Sequence, residues 1–111
     1  MSDRHSVDPT SWQIRDWKEI AWETVHADGL LCPTPAFVFG LLITSDGSGE
    51  ADALVYDGTS GLATGKHISL FCGDEEMIPL NWFPPLFFHQ GIYVDIGTNV
   101  DCVLVQYLPW R

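Results

Sequence analysis

Residues 91–111 read GIYVDIGTNVDCVLVQYLPWR, and this stretch decides the fold class. Two runs rich in β-branched and aromatic residues, 92–96 and 100–108, flank Gly97-Thr98-Asn99, a three-residue connection with two turn formers that reads as a β-hairpin. Ile92, Val94 and Ile96 fall on one face of the first run and Tyr93 and Asp95 on the other, the alternation of a half-buried strand. The second run is apolar on both faces from Cys102 to Tyr107 for most of its length, as a central strand covered on each side would be.

Working outward, residues 36–44, AFVFGLLIT, form a second nearly continuous apolar run of strand length, in which Gly40 marks a bulge or a close backbone contact. A polar, Gly-rich turn at 45–50 leads to 51–56, ADALVY, the returning strand of a second hairpin, and 57–61 is another turn. Residues 66–72, KHISLFC, place Ile68, Leu70 and Cys72 opposite His67, Ser69 and Phe71. Pro33-Thr34-Pro35 bars a paired central strand after Leu30-Leu31-Cys32 and reads as an edge or a crossing loop. Pro79, Pro84 and Pro85 argue against a ladder strand where they occur in 77–88, so part of that aromatic segment is expected to cap the domain or face another molecule. With the alternation of Ile20, Trp22 and Thr24, the pattern amounts to seven or eight short strands and no convincing long helix. It predicts an all-β fold, a single β-sandwich or jelly-roll-like domain over residues 19–111.

Residues 1–18 differ. Trp12, Trp17 and Trp22 recur every five residues, which puts the three on no single side of a helix or a strand, so the segment reads as an extended N-terminal arm. Its tryptophans either cover the domain's own core or anchor to a partner, a role for which Trp is favoured.

The chain has 111 residues, one domain by length, and a formal net charge of −10 from 15 acids against 5 bases. The arm is balanced, with Asp3, Asp8 and Asp16 against Arg4, Arg15 and Lys18; the remainder sets its acids against Lys66 and Arg111 alone. Such a surface repels phosphate, so nucleic acid is set aside as a partner. Neither a signal peptide nor a membrane span is indicated, and the chain reads as soluble. Cys32, Cys72 and Cys102 lack a C-x-x-C spacing and read as buried reduced thiols.

His5, His26, His67 and His89 show no metal-ligand spacing, and Asp46, Ser48, Glu50 and Asp52 do not meet the EF-hand pattern. Cys72 with His67 or His89 is the nearest approach to a nucleophile and base, but packing accounts better for a Cys ending an apolar strand face. Glu75 and Glu76 are adjacent in a turn and so point apart, unlike a glycosidase pair. The expectation is a non-enzymatic protein with no catalytic residues, no metal and no cofactor.

Val55-Tyr56-Asp57-Gly58-Thr59, then Gly65, then Phe83-Pro84-Pro85 with Phe88, then Gly91-Ile92-Tyr93-Val94 and Val103-Leu104-Val105-Gln106-Tyr107 occur in a familiar order. Over about residues 36–107 the chain resembles small β-sandwich proteins encoded among the head genes of tailed bacteriophages. The resemblance implies a virion structural protein, a capsid decoration or cement protein on the capsid exterior, assembled in the host cytoplasm and bound to the major capsid protein. On that reading Trp12, Arg15, Trp17 and Trp22 contact the partner, and Trp82, Phe83, Phe87 and Trp110 form a self-association surface of a homo-oligomer. The alternatives are a carbohydrate-binding sandwich of a tail or adhesion apparatus, with Trp82 or Trp22 stacking on sugar rings, and a small-molecule enzyme whose histidines converge on a metal.

Overall fold

The computed structural model describes residues 20–60 and 66–110. Within them lie eight strands: β1 Ala21–Val25, β2 Gly29–Cys32, β3 Ala36–Ser45, β4 Ala51–Asp57, β5 His67–Cys72, β6 Met77–Phe88, β7 Ile92–Ile96 and β8 Val100–Pro109. They form two four-stranded antiparallel sheets, ordered β1-β8-β3-β6 and β2-β7-β4-β5, with no helix among the described residues. The all-β sandwich predicted from the strand pattern is present. The arm, with Trp12, Arg15 and Trp17, lies outside the described residues.

The pairing is nested. β4 pairs β5, β3 pairs β6, β2 pairs β7 and β1 pairs β8, so the second half of the chain returns along the first in reverse order. Only β4 and β5 are successive strands in one sheet; every other connection crosses between sheets.

This corrects both expected hairpins. β7 and β8, joined by Gly97-Thr98-Asn99, lie in different sheets, and so do β3 and β4. The turn residues are as expected, with Asn99 at φ 58°, but the strands they join belong to opposite sheets. The physical reason is pairing preference: β3 and β8, the two strands apolar on both faces, are best placed beside each other, and they pair along most of their length. The true hairpin is β4–β5, closed by the Asp57 N–H donating to the Lys66 carbonyl at 2.9 Å.

Gly40 does sit at a bulge. The register of β3 shifts between Val38 and Gly40 against both of its neighbours. As a result Ala36 and Val38 face the core before the shift, and Leu41 and Ile43 after it. They meet Val103 and Val105 of β8 and, from the other sheet, Val55, Leu70, Ile92 and Val94 in one buried cluster. Each such aliphatic side chain contributes roughly 1.5–3 kcal/mol by leaving water.

Pro33-Thr34-Pro35 occupies the crossing from β2 to β3, as predicted. The segment 77–88 is one strand, β6, paired with β3; its proline pair Pro84-Pro85 stays out of the ladder as expected, whereas Pro79 is a correction, since it lies in the ladder opposite Leu42. β6 is an edge strand, so a missing N–H on its outer side costs no ladder bond. Its register with β3 runs from Met77 to Asn81, breaks, and resumes from Leu86 to Phe88. Residues 82–85, which include a cis Phe83–Pro84 bond, leave the ladder at the level of the β3 bulge.

Candidate functional site

The outer face of the β1-β8-β3-β6 sheet is where the large exposed side chains collect. Its composition follows from strand alternation: with Val103, Val105 and Tyr107 of β8 turned to the core, Cys102, Leu104, Gln106 and Leu108 point outward. Register then fixes their neighbours. Trp22, Gln106, Gly40 and Asn81 make one row across the four strands, and Thr24, Leu104, Leu42 and Pro79 make the next. Beyond the first row lie Leu108, Phe37 and Phe87; beyond the second lie Cys102, Thr44 and Met77.

None of these outward residues carries a carboxylate, an ammonium, a guanidinium or an imidazole. Among the described residues, acidic and basic side chains begin at the borders, with Asp101 in the irregular start of β8, His26 after β1, and His89 after β6. In a chain of net charge −10, an uncharged face of this extent is the main asymmetry of the surface.

Aromatic side chains stand on the face at two places. Phe37, Phe87 and Trp110 form one cluster, with ring centroids 5.0 Å apart for Phe37–Phe87, 5.6 Å for Phe37–Trp110 and 6.1 Å for Phe87–Trp110. The Trp110 N–H donates to the Pro35 carbonyl at 2.8 Å and so fixes the chain where that cluster sits. Leu108 is 2% exposed and is the one buried hydrophobic residue, among those described, outside the core cluster. The second place is a shallow groove of about 400 Å³ lined by Ile20, Trp22, Phe39, Phe83 and Gln106. There Trp22 is 68% exposed and Phe83 63% exposed.

At Gly40 a Cβ would lie 2.7 Å from both Asn81 Oδ1 and Gln106 Oε1. The missing side chain thus lets two amides converge in the middle of the face.

Of the residues assigned from sequence to self-association, Phe87 and Trp110 come together and Phe83 lies in the adjoining groove. Trp82 does not join them; it is half-buried and packs against the core. Trp22, assigned to a different contact, shares the groove with Phe83, so the structure makes one surface of what the sequence divided into two. Phe37 and Phe39 were missed as residues of this face, and Leu108 as a buried residue on its side of the sheet. Their signal was present, since β3 and β8 are apolar on both faces for most of their length, which implies that something covers the outer side as well.

The remaining polar candidates serve the fold. Asp52 accepts from the Thr98 N–H at 3.0 Å and the Thr98 hydroxyl at 2.8 Å, and these bonds hold its carboxyl below the usual carboxylate range. Asp57 accepts from the backbone N–H groups of His89 and Gln90 at 3.0 and 2.8 Å, and Asp46 accepts from that of Ser48 at 2.8 Å. Cys72 is buried on the core side of β5 while His67 is exposed on the other, so the two do not pair. Burial pushes the Cys72 thiol up, away from the thiolate a nucleophile requires. Among the described residues no group of three or more His, Cys, Asp or Glu side chains gathers as metal ligands would.

A larger hollow of about 540 Å³ opens between the edges of β5 and β6, lined by Asp57, His67, Leu86 and Phe88 among others. Its carboxylate is the one already engaged by His89 and Gln90.

Compared with known protein families, with curated proteins and with solved structures, the chain matches none at a significant level.

Proposed function

We propose that this chain is a non-enzymatic structural protein of a virus particle, a decoration protein that binds the outside of an assembled phage head and stabilises it. The observation that carries the reading is the uncharged, aromatic outer face of the β1-β8-β3-β6 sheet on an otherwise acidic chain. Soluble monomers rarely expose apolar patches larger than a few hundred Å², and larger ones mark places that another molecule covers. The nested pairing of the eight strands is the wiring of a jelly roll, an architecture used by viral shell proteins and by lectins; this supports the reading as fold-level analogy only.

The mechanism is mass action. A protein that binds the closed shell, and not its separated subunits, stabilises the shell by the free energy of that binding. The acidic remainder suits the exterior, where it meets no packaged nucleic acid. Contact with the major capsid protein falls to the N-terminal segment, in which Trp12 and Trp17 stand beside Arg15 in the chain's main basic cluster. Contact within the decoration layer falls to the sheet face.

The test is co-sedimentation with shells assembled from the major capsid protein of the same genome. The full chain pellets with closed shells and not with free capsid subunits, and replacing Trp12 and Trp17 by Ala weakens pelleting. A chain that stays in the supernatant with intact shells contradicts the proposal.

A carbohydrate-binding module is the second reading, favoured by the pairing of the exposed Trp22 with the Gln106 amide in the groove. Tryptophan fluorescence titrated with soluble oligosaccharides separates the two, since a saturable change is expected only if sugar is the ligand.

A further inference from the structure

We infer that two copies of this chain join at the free edge of β5, the β5 of one pairing antiparallel with the β5 of the other about a two-fold axis at Ser69. The inference goes beyond the assembly reading and does not depend on it, since it concerns the edge of the other sheet, away from the aromatic face.

The two sheets have four edges, and three of them are blocked. β1 carries Glu23 on its inner side, β2 is four residues long with a register shift between Leu30 and Cys32, and β6 carries Pro79, Pro84 and Pro85 and breaks its register. These are the devices by which natural sheets keep an edge from recruiting another strand. β5, HISLFC, has none of them: no proline, no charge among its inward residues Ile68, Leu70 and Cys72, and no register shift against β4.

The ladder fixes which groups that edge offers. The Asp57 N–H donates to the Lys66 carbonyl, so residues 66, 68, 70 and 72 turn their backbone groups to β4, and His67, Ser69 and Phe71 turn theirs away. Among the described residues, none bonds to the backbone N–H or C=O groups of these three. The hollow between β5 and β6 leaves the approach open beside Lys66, His67 and Ile68.

A second copy is the occupant because the strand is its own complement. With Ser69 opposite its image, His67 meets the second copy's Phe71 and Ile68 meets its Leu70, each pair occurring twice by symmetry. His67, Ser69 and Phe71 then all fall at hydrogen-bonded positions, each pair exchanging two N–H···O bonds. Phe71, 58% exposed, gains the His67 ring as a cross-strand neighbour on the outer face, and Ile68 and Leu70 adjoin on the inner. Charge agrees with the same register. Lys66, the only lysine or arginine among the described residues, comes opposite the second copy's Cys72, where the exposed acids Asp74, Glu75 and Glu76 follow. A neutral strand with a lysine at one end and acids at the other fits an antiparallel copy and repels a parallel one.

The experiment is sedimentation equilibrium of the full chain over roughly 1 µM to 1 mM, the range of a small interface. The expected mass is twice the 12.4 kDa of one chain. Ser69→Lys sets like charges opposite each other at the axis, and Ser69→Pro removes the N–H offered there, so each raises the dissociation constant at least ~10-fold. The Ser69 N–H is no part of the β4 ladder, and circular dichroism verifies that both variants fold. Lys66→Glu weakens the pairing likewise, and Asp74→Lys with Glu75→Lys in the same chain restores it. Asp101→Asn, which changes the net charge by as much as Ser69→Lys but on the other sheet, leaves it unchanged. A mass of one chain throughout, any stoichiometry other than two, or a dimer indifferent to changes at positions 66 and 69 overturns the inference. A chain that stays monomeric but pellets with shells sinks the pairing and leaves the assembly reading standing; a dimer that ignores shells does the reverse.

Discussion

Tyr107 donates its hydroxyl to Glu23 Oε1 at 2.6 Å, joining the central strand β8 to the edge strand β1. Glu23 is register-paired with core-facing Val105 and so sits on the inner side of β1, an inward-pointing charge of the kind that discourages edge-to-edge association. Burial first, and the Glu23 carboxylate second, push the Tyr107 hydroxyl well above the ordinary tyrosine range. Tyr107→Phe is expected to cost about 1 kcal/mol near neutral pH. Because the folded pKa lies above that of the unfolded chain, the bond's contribution is complete below about pH 10 and is lost as pH rises beyond it. Urea unfolding of both proteins at about pH 7 and about pH 11 checks this: the gap between them should narrow at the higher pH, and a constant gap counts against the bond.

Asp52 and Thr98 show the opposite sign at the other extreme of pH. The two hydrogen bonds from Thr98 depress the Asp52 pKa, so their contribution is present above the ordinary aspartate pKa of about 4 and is lost as pH falls below it. Asp52 is exposed, which limits the effect to under about 1 kcal/mol. In acid unfolding series, Asp52→Asn should show a shallower fall in stability below about pH 4 than the parent. Equal slopes would mean that the carboxylate is not held by Thr98.

Gly91 and Gly40 are both crowded glycines, yet their replacement is expected to differ in severity. A Cβ at Gly91 would lie 2.5 Å from the Cys32 carbonyl and 3.2 Å from that of Gly58, at a φ of +156°. Backbone cannot step aside cheaply there, and Gly91→Ala should cost more than about 2 kcal/mol. At Gly40 the obstructing atoms are the ends of two side chains that can swing into solvent, so Gly40→Ala should stay within about 1 kcal/mol. Thermal unfolding of the two variants decides; a Gly40→Ala change as damaging as Gly91→Ala would mean that the converging amides are part of the fold and not of the surface.

The strands were legible because their signals are local. Alternation in 92–96, the apolar runs of β3 and β8 and the bulge at Gly40 all depend on neighbours in sequence. Which strands share a sheet was not legible. Gly97-Thr98-Asn99 has the same turn chemistry whether the next strand pairs with the last or crosses to the other sheet, and the choice is made by β3 and β8 finding each other across the chain. The face was half legible: Phe83, Phe87 and Trp110 were visible as aromatics beside prolines, but Trp82 turns to the core because it follows outward Asn81 in the alternation of β6, which also turns Leu80 and Leu86 inward. Trp22 joins Phe83 only through β1 pairing with β8, a contact between the two ends of the described chain.

The three cysteines sample two depths, and their reactivity reports on both the fold and the face. Cys32 and Cys72 are buried, with the Cys72 thiol donating to the Glu76 carbonyl at 3.5 Å, whereas Cys102 is half-buried and outward on β8 opposite Thr44. With a thiol reagent in excess, one cysteine per chain should react in the folded protein and two only at the rate of unfolding. Two or three rapid thiols would contradict the sandwich core.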